Sequence, residues 1–261
     1  MNRIDKTFAE LKAQGRKGLV GFLTVGDPDE AQSERDIRAA LDAGVDVLEL
    51  GIPFSDPTAD GPTIQAASQR ALQTGMTLKK ALAIVARIRA DYDCPIVLFG
   101  YANLFFRYGF EAFCGDAAAA GADGMLVVDL PFEESGELRG HLERNGMVFI
   151  PLVAPTTPPA RLRKILAGAR GFVYYIMVTG VTGARSGLVS GLAGRLALLR
   201  EVTSLPVAAG FGVSSGPQAA EVARDADAVV VGSALISAAR EGRLGELVRE
   251  IRAALDRGEA R

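Results

Sequence analysis

The 261-residue chain has no tryptophan, a single histidine, two cysteines and six lysines, and its 29 Lys and Arg nearly balance 31 Asp and Glu. Each scarcity excludes something. One histidine rules out the usual zinc ligand sets, and it leaves a Ser-His-Asp triad only if His141 is the base. His141 lies in GELRGHLERNG, a charged helical pattern that reads as a solvated surface. Cys94 and Cys114 cannot build a disulfide framework and read as small core or near-surface residues. A formal charge of −2 offers no electrostatic case for nucleic acid or an anionic membrane. No window approaches the ~20 apolar residues of a membrane span, and MNRIDKTFAELKAQGRKG has no apolar signal core. With reduced thiols, that points to the cytoplasm. None of the lysines (Lys6, Lys12, Lys17, Lys79, Lys80, Lys164) falls at the end of an expected strand, where a Schiff-base aldolase needs its amine. Carbon–carbon cleavage here would need carboxylate acid/base chemistry and a substrate able to stabilise its own carbanion.

What is present is 49% hydrophobic residues and 30 glycines in a repeating arrangement. Three segments, LDAGVDVLEL, AAAAGADGMLVVDLP and VARDADAVVVGS, each run from an Ala-rich helical stretch through a Gly or Asp stop into a β-branched run. That is the signature of an α-to-β junction. The runs GLVGFLTV, CPIVLFGY, MVFIPLV, GFVYYIM and LPVAA fill the intervals, making eight expected strands. About 33 residues per strand is the size of a βα unit. Near-continuous apolar strands alternating with helices imply a parallel sheet covered on both faces. The α/β class follows, with a closed (β/α)8 TIM barrel as the first reading and an open doubly wound sheet as its rival. No linker divides residues 1–261, so a single domain is expected, with residues 2–14 as an extra N-terminal helix closing the barrel bottom.

In such a barrel the strand C-termini carry the chemistry. Alternation along strand 2 places Val45, Val47 and Glu49 on one face and Leu48 and Leu50 on the other. If the leucines meet helices, Glu49 points into the barrel mouth. There it is either a carboxyl of raised pKa suited to proton transfer or one satisfied by loop backbone N–H groups. Asp56 and Asp60 follow in a proline-restricted loop, where either is also an ordinary turn residue or helix N-cap. GFGVSSGP and VVVGSALI, at the ends of strands 7 and 8, together suit a phosphate, with Gly212, Val213, Gly232 and Ser233 as the residues to name. TGVTGARSGL, with Gly180, Gly183 and Gly187, has the composition of a lid over substrate or of a disordered loop. Of Tyr174 and Tyr175 only one can face inward.

GFLTVGDP, LELGIPFSDPTADGPTIQ, YANLFFRYG, DLPFEES, GVTGARSG and GFGVSS resemble the tryptophan synthase α subunit, over essentially the whole chain. The long E-x-G-x-P-F-S-D-P-x-A-D-G-P run is the specific part. The resemblance implies a barrel lyase that splits indole-3-glycerol phosphate into indole and glyceraldehyde 3-phosphate. It places the two catalytic carboxylates on Glu49 and Asp60. Substrate contacts fall on Phe22, Phe99, Tyr101, Val153, Tyr174, Thr182 and Phe211, and phosphate contacts on Gly183, Gly212, Val213, Gly232 and Ser233. It also implies a β-subunit partner in an α2β2 assembly, reached through the loop of Asp56 and Pro57. Pyridoxal phosphate belongs only to that partner, with no metal or cofactor in this chain. A catalytically silent phosphosugar-binding regulatory subunit and another phosphosugar-barrel enzyme remain as alternatives.

Overall fold

In the computed structural model, which describes residues 2–177, 191–210 and 212–257, the Asn2 side chain accepts the Ile4 N–H and opens helix α1 (Arg3–Ala13). Strands and helices then alternate: β1 (Gly18–Thr24), α2 (Glu30–Asp42), β2 (Val47–Gly51), α3 (Pro62–Gln73), α4 (Leu78–Asp91) and β3 (Ile96–Gly100). Next come α5 (Ala102–Tyr108), α6 (Phe110–Ala120), β4 (Gly124–Val127), α7 (Gly136–Arg144), β5 (Val148–Phe149), β6 (Leu152–Val153) and α8 (Pro159–Leu166). The described chain ends with β7 (Val173–Ile176), α9 (Leu192–Arg200), β8 (Val207–Gly210), α10 (Gly216–Ala223), β9 (Ala228–Val231), α11 (Ser233–Arg240) and α12 (Leu244–Arg257).

All strand pairs are parallel, in the order β5-β4-β3-β2-β1-β9-β8-β7-β6. The two ends of that order are halves of one run, residues 147–153, which reads in the sequence as a single strand. Its Ile150 N–H still bonds Met125 O at 2.8 Å, while its Pro151 carbonyl already accepts the Tyr174 N–H at 2.9 Å. The pairing partner therefore changes from β4 to β7 within this one run. Because one backbone segment serves both neighbours, the sheet closes into the expected eight-unit ring.

Alternation then sorts the side chains. Val20, Val47, Val97, Leu126, Phe172 and Val230 fill the ring interior, and Ile4, Phe8 and Leu11 of α1 join that cluster. The extra helix is therefore a plug for the barrel bottom. Buried Asp123 holds it there, accepting from Arg3 at 3.1 Å, Arg89 at 2.7 Å and the Ile96 N–H at 2.9 Å. Leu48, Leu50, Leu98 and Val229 pack outward in the layer under the helices. Val45 belongs to that outer layer too, contrary to its expected place beside Val47. The regular strand starts only at Val47, so counting by twos does not extend back to residue 45.

Candidate active site

Glu49 is the anomaly of the interior. Its β2 register sets it between Phe22 of β1 and Val97 of β3. The residue is 0% exposed, and among the described residues neither carboxyl oxygen has a hydrogen-bond partner. No loop N–H group among the described residues satisfies it. Burial disfavours the charged form and pushes the pKa up to about 8, so the group is a neutral acid at pH 7. A buried polar group without a partner costs stability. That one sits at a barrel mouth marks a working position.

The second acid is on the loop between β2 and α3. Asp60 is not the cap of α3; that position is Gly61, with Pro62 in the first turn. The Asp60 Oδ2 accepts the Tyr101 hydroxyl at 2.8 Å, and the Ala59 N–H donates to the same hydroxyl at 3.0 Å. The Phe54 ring stacks on Tyr101 with centroids 5.0 Å apart. Desolvation raises the Asp60 pKa, and the Tyr101 bond acts in the opposite direction. Asp56 is exposed and accepts from Ser55 Oγ at 2.6 Å, and Pro57 beside it is half-buried.

Tyr174 of β7 packs against the interior cluster, whereas Tyr175 lies in the outer layer. The Tyr174 hydroxyl is held well above its ordinary range by burial first, then by the charges of Glu49 and Asp60. Both carboxyls are thus near enough for their charge to act on this one tyrosine. Phe22 and Phe99 meet edge-on at 5.1 Å. Gly51 makes room for this pair, since a Cβ there would strike the Phe22 ring. Together these rings form an apolar wall beside Glu49.

Val153 does not join that wall. It is 1% exposed but packs in the outer layer, while Leu152 packs against the interior cluster. The sequence expectation is one residue out of step, and in a strand a slip of one reverses the face. Counting by twos from Val148 through Ile150 would have found Leu152. Leu152, Ile150, Val128 and Ile176 also line a cavity of about 230 Å³ where β4 and β6 part.

The ends of β8 and β9 offer backbone to the mouth. Gly212 has φ +84°, a conformation that disfavours other residues, and Val213 is buried behind it. Gly232 is the N-cap of α11 with no side-chain cap; its carbonyl accepts from Leu235 and Ile236, so the N–H groups of Ser233 and Ala234 are the ones without an intrahelical acceptor. Thr182, Gly183 and Phe211 lie outside the described residues. His141 is on the outer helix α7, with Nδ1 2.7 Å from Arg144. Burial pushes both cysteine thiols up to about 11, which leaves them unreactive. Among the described residues no group of three or more His, Cys, Asp or Glu could hold a metal ion, and no helix is long and apolar enough to cross a membrane.

Residues 8–258 match a family model described as tryptophan synthase alpha chain. A tryptophan synthase alpha chain of Geobacter sulfurreducens is 51% identical over 251 residues, covering 96% of this chain and 95% of that one. One from Citrifermentans bemidjiense is 49% identical, covering 96% and 94%. Among solved structures, a tryptophan synthase of Mycobacterium tuberculosis superposes with TM-score 0.91 at 38% identity, covering 97% and 98%. An alpha chain from Legionella pneumophila does so with TM-score 0.89 at 36% identity, covering 98% of each chain.

Proposed function

The chain belongs to the tryptophan synthase alpha chain family, whose members cleave indole-3-glycerol phosphate in tryptophan biosynthesis, and on that premise we propose that Glu49 and Asp60 carry the cleavage. The observation that supports this most directly is the Glu49 carboxyl, fully buried and without a hydrogen-bond partner among the described residues, on the strand that leads into the loop of Asp60. At neutral pH it holds a proton to give.

The reaction is a retro-aldol cleavage in which the indole ring is the carbon leaving group. Glu49 delivers its proton to ring C3, placing positive charge on the ring nitrogen. Asp60, ionised, accepts the indole N–H and stabilises that charge. The Glu49 carboxylate then takes the proton of the side-chain hydroxyl adjoining the ring. The C–O bond becomes the aldehyde carbonyl, the C–C bond breaks, and its electron pair returns to the ring. One proton has moved from oxygen to carbon and Glu49 is restored, so no external oxidant, reductant or base is consumed.

Phe22, Phe99, Leu152 and Tyr174 shape the flat apolar slot for the bicycle. Gly212, Val213, Gly232 and Ser233 receive the phosphate through backbone N–H groups and the α11 dipole, which orients substrate rather than performing chemistry. Thr182, Gly183 and Phe211 complete the site in this reading. No cofactor is assigned to this chain. Its partner is a β subunit in an α2β2 assembly, approached through the loop of Asp56 and Pro57, and pyridoxal phosphate resides there. The free thiols Cys94 and Cys114 suit a reducing cytoplasm.

The test is release of indole from indole-3-glycerol phosphate by the purified chain, with and without a β subunit. Glu49→Gln and Asp60→Asn should each lose at least about two orders of magnitude in turnover, the scale of a missing acid/base group. Near wild-type turnover in either variant refutes the role assigned to that residue.

A further inference from the structure

We propose that Tyr101 is a positioning residue for Asp60: its hydroxyl holds one oxygen of that carboxylate and leaves the other turned toward substrate. The inference rests on the reading of Asp60 as the group that meets the indole N–H. It changes the part given to Tyr101, from a wall against the ring to a peg on which the catalytic loop is hung.

Three separate contacts tie the loop to this one side chain. Phe54 stacks on its ring, Ala59 N–H donates to its oxygen, and its hydroxyl proton goes to Asp60 Oδ2. The Ala59 contact sets direction: with its oxygen already accepting an N–H, the hydroxyl points its proton toward Asp60. Tyr101 is itself fixed, being only 3% exposed and lying at the end of β3. The next residue's N–H, at Ala102, is held by Asp129 Oδ1 at 2.7 Å. Among the described residues Asp60 Oδ1 has no partner. The loop itself is otherwise lightly held near Asp60, by its N–H to Pro57 O at 3.1 Å and its carbonyl to Gln65 Nε2 at 2.9 Å. Neither of those orients the carboxylate.

The charged and titratable groups around the pair come from four elements. Tyr101 bonds Asp60 from the β3–α5 junction, Tyr174 of β7 feels the charges of both Asp60 and Glu49 of β2, and Asp129 after β4 acts on Tyr101. Of these, Tyr101 alone donates to Asp60. A hydrogen bond to an ionised carboxylate favours the charged form. The Asp60 form that supports a cationic ring is the ionised one. Removing the hydroxyl therefore affects both the aim of the carboxylate and its readiness.

Tyr101→Phe keeps the ring and its stacking on Phe54. It should lower kcat about tenfold with KM within about twofold, and should raise the Asp60 midpoint by about one pH unit, a tenfold change in its proton affinity. The midpoint is read by carboxyl NMR titration of the free chain, with the Asp60 signal assigned by its loss in Asp60→Asn. The acidic limb of kcat/KM should move up in parallel. Placing fluorotyrosine at position 101 alone, a stronger donor, should move the same midpoint down, and this arm stands if the Phe variant does not fold. A wild-type kcat and an unmoved Asp60 midpoint in Tyr101→Phe, or an unmoved midpoint with fluorotyrosine, overturns the proposal. The titration needs no turnover. Absence of indole release by the wild type would instead sink the proposed reaction, so the two failures are distinguishable.

Discussion

Glu49 is stable in its pocket only while it carries a proton, and this ties fold stability and activity to the same group. Its pKa of about 8 lies above the ordinary 4.5, so the folded chain binds a proton that the unfolded chain releases. The sign follows: this contribution is fully present below the unfolded value and is lost as pH rises through the folded one. Stability should fall by about 1.4 kcal/mol per pH unit between about pH 5 and about pH 8 from this group alone. Glu49→Gln should lack that slope, as read by denaturant unfolding at a series of pH values. In the wild type, kcat/KM should also fall above about pH 8, when the free enzyme has lost the proton it must donate. An activity plateau extending well past that point would contradict Glu49 as the acid. The residue pattern announced this group: a glutamate in phase with Val47, between leucines out of phase with it. Its lack of a partner among the described residues could not be read there, because that depends on which distant segments reach it.

Helix α1 and the ring it plugs are separable in function from the mouth. Phe8 meets Phe172 at a centroid distance of 5.4 Å inside the bottom of the barrel. Phe8→Ala should cost about 3–5 kcal/mol, the usual range for deleting a buried aromatic ring. It should lower the melting temperature while leaving KM for substrate unchanged in the surviving folded protein. A large change in KM would mean that the two ends of the barrel are coupled. The elements themselves were well marked in the sequence, since buried parallel strands and amphipathic helices differ in period. Where the reading slipped, it slipped at strand ends. Val45 precedes the regular β2, and Val153 is out of phase with Val148, Ile150 and Leu152, which share the interior face. Periodicity carries no information about where a ladder stops.

Closure of the ring joins the last strands to the first. β9 pairs with β1, so Gly232 at the start of α11 comes to the side of Phe22, where an added Cβ would sit 3.5 Å from that ring. The expected phosphate loops and the acid-bearing strand thereby share one mouth although far apart in the chain. Inorganic phosphate or glycerol phosphate should compete with substrate at millimolar concentration, measured as a rise in apparent KM at constant kcat. No competition would count against the anion site. Residue types and their spacing determined the α/β class and the order of strands and helices, because these depend on local period, while the two acids were singled out by the resemblance carried in the LELGIPFSDPTADGPTIQ run. Only the tertiary structure decided that Glu49 has no hydrogen-bond partner among the described residues and that Tyr101 grips Asp60. Each of those depends on which distant segments meet, and such meetings follow from ring closure and strand register rather than from any local pattern.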